Sequence, residues 1–202
     1  MNIILSGNKD CVPLMTDRLI HELKKIDAFS DEEIDVLEGY MVSRFIRKGD
    51  HYLSLGQISR HFAFIDSGLT MHYSLHDGVE IPCNFSSEGG WMGSLKSLTT
   101  GTPTEFAIKA LEDTRLRELS AENMQHLFLL SSRWLVFKNH LVENVFFNIT
   151  EHNADLATLD AKERYYKFMR EKSDLINRVP QYYIAAYLGI TPQSLSRIRK
   201  EG

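Results

Sequence analysis

Cysteine is scarce: Cys11 and Cys83 are the only two in 202 residues. Two distant thiols cannot frame a disulfide scaffold, hold an iron–sulfur cluster or supply a closely spaced zinc site, and a reducing cytoplasm is the expected compartment. Long apolar runs are missing as well. Nothing approaches the roughly 20 residues needed to cross a bilayer, so no membrane partner is expected. The opening MNIILSGNKD has neither the basic start nor the hydrophobic length of a secretory signal. Catalytic signatures are equally thin. There is no His-x-His pair for a cupin-type metal centre, no Gly-x-Ser-x-Gly elbow and no Gly-x-x-x-x-Gly-Lys phosphate loop. Six histidines are candidates for haem or metal: His51, His61, His72, His76, His140 and His152. His72 and His76 would share one face of a regular strand, but no third ligand is evident. The expectation is therefore a protein that is not an enzyme, with no cofactor and no metal.

What is present is an ordinary globular composition, 43% hydrophobic and 25% charged, near the boundary between one domain and two. The net charge of −4 conceals a split. From Asp160 onward nine lysines and arginines face five acids, about +4, which leaves about −8 on the rest. A basic C-terminal piece on an acidic chain points to a polyanionic partner.

Three textures follow one another. Ser30–Glu33, SDEE, is a capping box ahead of the apolar Ile34 and Leu37 and predicts a helix. From Met41 to about Leu119 the text is strand-like, with HFAFI, LTMHYSL, VEIPCNF and FAIKALED separated by turn signals, of which Asp77-Gly78 is the clearest hairpin. Short strands at this spacing predict an antiparallel barrel or roll. After Ser120 the period becomes helical. Leu135, Val142, Ile149 and Leu156 recur every seven residues, interleaved with Lys138, Val145, His152 and Leu159, while Phe137, Leu141 and Phe146 widen the stripe. A helix of about 25 residues or more outruns a small barrel, so its seam is expected to pair with a second copy about a two-fold axis. SDLINRVP (173–180) then reads as a hinge, broken at Pro180.

The last stretch, VPQYYIAAYLGITPQSLSRIRK, reads as two short helices around a glycine corner. Ile184, Ala185 and Leu188 share a face, Gly189 turns the chain, Thr191 is an N-cap and Pro192 suits the first helical position. Leu195 and Ile198 point inward, while Gln193, Ser196, Arg197 and Lys200 take the opposite face. That is the grammar of a helix-turn-helix, whose second helix enters the major groove of double-stranded DNA. Arg197 matches guanine and Gln193 matches adenine, while Thr191, Ser194, Arg199 and Lys200 are placed for phosphates. Tyr182, Tyr183 and Tyr187 could also reach phosphates, with at least one expected in the small core.

This order of parts resembles the Crp/Fnr superfamily of bacterial transcription regulators, over roughly Phe45 to Lys200. The stretch ERYYKFMREKSDLINRVPQYYIAAYLGITPQSLSRIRK is similar to regulators common in Bacteroidetes-type bacteria. The resemblance implies an α+β chain: a cyclic-nucleotide-binding-like antiparallel β-roll (double-stranded β-helix, jelly-roll-like) sensory domain over 1–130, a long dimerisation helix over 131–160 and a helix-turn-helix domain over 161–202. It implies a homodimer on half-sites about 34 Å apart, with RNA polymerase as a candidate further partner and an effector of unknown identity. The family's phosphate cassette has a glycine and glutamate entering a short helix and then an arginine–serine pair. Here it corresponds to WMGSLKSLTTGTPTEFAIKA. Trp91, Gly93 and Leu95 belong to it, but Ser94 stands for the glutamate, Thr104 for the arginine and Glu105 for the serine. A carboxylate about 4 Å from a phosphate repels it by roughly 4 kcal/mol at an effective dielectric near 20. The family's usual binding of cyclic AMP is therefore not expected. The remaining readings are a small-molecule sensor whose terminal part contacts protein rather than DNA, and a cupin-like enzyme, which the missing histidine cluster disfavours.

Overall fold

The structure, a computed structural model, describes residues 16–201, with side chains from 18 to 200. Cys11 and the opening apolar patch lie outside the described residues. Helix α1 (Thr16–Ile26) is followed by α2 (Asp31–Tyr40). The SDEE signal starts α2 reciprocally: Glu33 N donates to Ser30 Oγ at 3.2 Å, and Ser30 N donates to Glu33 Oε2 at 3.0 Å. Met41 then opens the strand region, and the capping serine Ser120 closes it.

The strands are β1 (Met41–Ile46), β2 (His51–Leu53), β3 (His61–Ser67), β4 (Thr70–His76), β5 (Val79–Ser86), β6 (Trp91–Met92), β7 (Ala107–Ala110) and β8 (Thr114–Ser120). They form two four-stranded antiparallel sheets, ordered β1-β8-β3-β6 and β2-β7-β4-β5. Asp77 and Gly78 make the hairpin turn between β4 and β5, with His76 opposite Val79. FAIKALED keeps only Ala107–Ala110 as strand. The amides of Leu111 and Glu112 both donate to Leu69 O, which bends the chain away from the ladder.

The period of two decides which side chains meet which layer. Between the sheets lie Ile46, Leu53, Ala63, Ile65, Met92, Ile108, Ala110 and Leu116. Phe62 and Phe64, the alternate residues of β3, face out to α1, α2 and the later helices, beside Leu19, Leu23, Leu37, Trp134 and Phe137. Met71 and Tyr73 of β4 likewise face out, into a third core shared with the C-terminal helices. The order of layers is helices, sheet, core, sheet, helices.

His72 lies on the inward side of β4. It is buried, its Nε2 is 3.3 Å from Ser86 Oγ, and its ring stacks on Phe106 at 5.7 Å. Burial pushes its pKa down to about 4, because the interior disfavours the imidazolium. The unfolded chain therefore binds the extra proton between pH 6.5 and 4. The stabilising effect of a neutral His72 is complete above the unfolded value and is lost as pH falls through that window. Denaturant melts at pH 7 and pH 4.5 should show His72→Gln losing about 2–3 kcal/mol less than wild type on acidification. Equal acid slopes would contradict it. His76 sits exposed at the hairpin, away from His72 in environment. Among the described residues no group of three His, Cys, Asp or Glu could hold a metal ion.

After β8 come α4 (Ala121–Leu130) and α5 (Ser132–Thr158), broken at Ser131, whose hydroxyl donates to Glu33 Oε1 at 2.7 Å. Helix α5 has 27 residues, about 40 Å of helix at 1.5 Å per residue. Trp134, Phe137 and Leu141 are its buried residues, and all lie in its first half. Phe137 and Leu141, read as a widening of the seam, are in fact the face turned to the chain's own roll. Among the described residues no helix is long and apolar enough to cross a membrane.

Helices α6 (Ala161–Glu171), α7 (Gln181–Tyr187) and α8 (Pro192–Glu201) complete the chain. The expected hinge is not slack: Leu175 and Val179 are buried in the third core. Helix α7 ends by a double closure, Gly189 N to Ala186 O at 3.1 Å and Ile190 N to Ala185 O at 3.0 Å. Gly189 has φ +65, and a Cβ there would come within 3.2 Å of Leu156 Cδ2 on α5. Glycine thus meets both the left-handed turn and the close approach of the long helix.

Candidate nucleic-acid interface and the effector cassette

Helix α8 is built from its start. Ser194 N donates to Thr191 Oγ1 at 3.1 Å, Leu195 N donates to Thr191 O at 3.0 Å, and Pro192 fills the first position. Leu195 and Ile198 are buried in the core shared with Ile184, Ala185 and Leu188. Thr191, Gln193, Ser196, Arg197, Arg199 and Lys200 are exposed, and Ser194 is half-buried with its hydroxyl 3.0 Å from that of Thr191. Arg199 and Lys200 also border a groove of about 400 Å³ together with Gln181, Pro192, Leu195 and Ser196. Tyr182 is exposed beside it in sequence, whereas Tyr183 and Tyr187 are buried.

The charge excess of the C-terminal piece is distributed unevenly. Lys167 lies between Asp155 at 2.7 Å and Glu151 at 3.0 Å. Arg178 grips Glu88 and Glu112, and Arg164 donates to the carbonyls of Leu159 and Leu188. These cations are structural. The arginines and lysine of α8 are exposed, as are Lys162 and Arg170 of α6, the latter beside Glu171.

The seam of α5 is open to solvent. Leu135, Val142, Val145, Ile149 and Leu156 are between 41% and 56% exposed, with Phe146 and Phe147 beside them. Leu159 is half-buried at the helix end. His152 departs from the seam pattern: it is half-buried and stacks on Tyr187 at 4.2 Å. Burial lowers its pKa. The lower end of α5 is thus engaged by its own C-terminal helices rather than left wholly free.

The cassette is assembled and self-satisfied. Gly93 passes against Phe62, where a Cβ would meet the ring at 2.5 Å. Ser94 is buried and caps α3 (Leu95–Thr100), accepting from Ser97 N at 3.3 Å, so this helix start is occupied by the chain itself. Leu95 and Trp91 pack toward the long helix, with Trp91 in edge contact with Phe137 at 5.1 Å. Thr104 is buried and its hydroxyl donates to Phe106 O at 3.1 Å. Glu105 is exposed and paired with Lys96 at 2.6 Å. That pair corrects the simple charge reasoning: Lys96 offsets the carboxylate, so the repulsion of a phosphate is weaker than for a bare glutamate. What stays missing is a guanidinium fork and a second carboxylate for a ribose. Lys109 is not available in their place, because it pairs with Glu80 on the outer side of the sheet.

Sequence reading missed the residues that join the C-terminal helices to the roll. Lys109 Nζ donates to Glu80 Oε1 at 2.6 Å and to Tyr183 Oη at 3.0 Å, and Tyr183 Oη donates to Glu80 Oε2. Arg178 donates to Glu88 at 2.9 Å and to Glu112 at 2.7 Å. The partners are separated by dozens of residues, and no local pattern announces them.

No family model matches the chain, and no curated protein matches it by sequence. Solved structures do. The global regulator CLP of Xanthomonas campestris, described as responsive to c-di-GMP, has 18% identity and a TM-score of 0.69, covering 85% of this chain and 91% of its own. FixK2 from Bradyrhizobium japonicum has 18% identity and a TM-score of 0.71 over 80% of this chain and 83% of its own. A putative crp/fnr-family transcriptional regulator from Eubacterium rectale has 17% identity and a TM-score of 0.68 over 86% and 83%. The chain shares its fold with these solved regulators.

Proposed function

We propose that the chain is a sequence-specific, dimeric DNA-binding transcription regulator of the Crp/Fnr type. The observation that carries this reading is the two-sidedness of α8: Leu195 and Ile198 anchor it, while Gln193, Arg197 and Lys200 are exposed. A short helix with a buried inner face and an outward arginine and glutamine suits the major groove, where each can make a bidentate pair. The open seam of α5 supports a homodimer, which would present two copies of α8 to one duplex. In this reading residues 1–130 form the sensory roll, 131–160 the dimerisation helix and 161–202 the reading domain. The working compartment is the cytoplasm, and RNA polymerase is the natural further partner of a DNA-bound regulator. The reading involves no catalysis.

The test is selection of bound fragments from a random duplex pool, followed by gel shift at two salt concentrations. A palindromic site and an affinity falling steeply with salt support the reading. Recovery of no duplex above background overturns it. The altered cassette adds a separate expectation: calorimetry at micromolar protein should register no heat of binding for cyclic AMP, and micromolar affinity would contradict the assignment of Ser94, Thr104 and Glu105.

A further inference from the structure

The C-terminal helices meet the rest of the chain at a two-residue corner. Leu159 closes α5 and Asp160 caps α6, accepting from Lys162 N at 2.8 Å and Glu163 N at 2.9 Å. Without other contacts, α6–α8 could swing about this corner. Helix α8 would then lose its fixed position relative to the axis of a dimer. The described contacts stop that motion at three separate places.

The first is on α5. Lys167 pairs with Asp155, His152 stacks on Tyr187, and Arg164 binds the carbonyl ends of both α5 and α7. The second is on the β4–β5 hairpin and β7, where Tyr183 at the start of α7 is bonded to both Glu80 and Lys109. Lys109 is itself held over the rings of Tyr73 and Tyr183, at 5.3 Å and 5.4 Å. The third is the linker between α6 and α7, where Arg178 forks onto Glu88 of the β5–β6 turn and Glu112 of the β7–β8 turn. Glu88 in turn accepts from Gly68 N at 2.8 Å, which ties the fork to the backbone of the roll. Between these points runs one apolar core in which Met71, Tyr73 and Phe85 of the sheet touch the same cluster as Ile184, Tyr187 and Leu195. All three points leave Gln193 and Arg197 exposed.

We infer that Tyr183 with Glu80 and Lys109, and Arg178 with Glu88 and Glu112, are positioning residues for DNA reading. They lock the reading helix onto the outer face of the roll, so that the roll sets the distance between the two reading helices of a dimer. This rests on the proposed DNA-binding function and deepens it. The sheet acts as a platform, and docking is compatible with binding because it covers none of the reading face. Successive base pairs are about 3.4 Å apart, so a swing that moves α8 by that much misplaces one half-site by a full step. The clamps therefore bear on spacing, not on the chemistry of base contact.

Two conservative variants separate this from simple loss of fold. Tyr183→Phe keeps the ring in its core and removes the hydroxyl. Arg178→Lys keeps the charge and removes the fork. Each is compared with wild type on three duplexes of equal length: the selected site, the same half-sites separated by one extra base pair, and a single half-site. Melting curves confirm folding. Wild type should prefer the selected spacing over the lengthened one by at least about tenfold. Each variant should reduce that preference severalfold, with affinity for the single half-site changed less than twofold. Wild-type spacing preference in both variants overturns the inference and leaves DNA reading intact. Equal losses on all three duplexes also overturn it, since they indicate a general destabilisation. A wild type that retains no duplex defeats the functional reading on which the inference stands.

Discussion

Arg197→Ala is expected to weaken binding to the selected duplex by about 30- to 20,000-fold. A bidentate arginine–guanine pair discriminates by about 1–3 kcal/mol, and a dimer loses two of them, about 2–6 kcal/mol together. The guanidinium is exposed one turn beyond Gln193 on the outer side of α8, so its removal leaves the anchoring Leu195 and Ile198 in place and should not alter the melting temperature. Affinity for a scrambled duplex should fall far less, since only one charge per protomer is lost. Lys200→Ala provides the contrast. As a phosphate contact it should weaken both duplexes alike and reduce the salt slope by about one per protomer. If Arg197→Ala also weakens both alike, its role is electrostatic and the reading of bases fails.

Much of this site was legible because it is local. The N-cap Thr191, the corner Gly189, and Leu195 and Ile198 inside lie within about a dozen residues, and each follows from backbone or periodicity rules. The strand region was legible for the same reason, since alternation and turn signals such as Asp77-Gly78 are local. The roll clamps were not legible, since Arg178 meets Glu88 and Glu112 only through the fold. Glu105 was singled out, yet its pairing with Lys96 depends on how α3 faces the following loop. On α5 the seven-residue repeat located the open seam but could not tell Phe137 and Leu141, which face the roll, from the residues that face away. Both sets obey helical spacing, and only the position of the roll distinguishes them. His152 shows the same limit from the other side. It occupies a seam position by count, but the aromatic face of Tyr187 claims it.

Ile149→Glu is expected to convert a dimer into a monomer, with the dissociation constant of the pair rising at least about a thousandfold. Ile149 is in the distal half of the seam and 56% exposed in the single chain, so the protomer does not depend on it. Its stability should therefore change by less than about 0.5 kcal/mol, as for other surface substitutions. Across a two-fold axis the position is buried twice. Each isoleucine is about half exposed before pairing, so the two together contribute about 2–3 kcal/mol. The two glutamates that replace them lose their hydration near one another across the proposed axis, and that cost supplies the rest of the roughly 4 kcal/mol that a thousandfold change requires. Phe137→Ala is the opposite case. That ring is fully buried against Trp91 and Trp134, and its loss should cost the protomer about 3–5 kcal/mol. Sedimentation equilibrium measures the first effect and denaturant melts the second. Only Ile149→Glu should lose the preference for two half-sites over one, and it should do so while folding as wild type. A dimer that persists in Ile149→Glu places the self-association elsewhere, and the paired reading helices would then need a different axis.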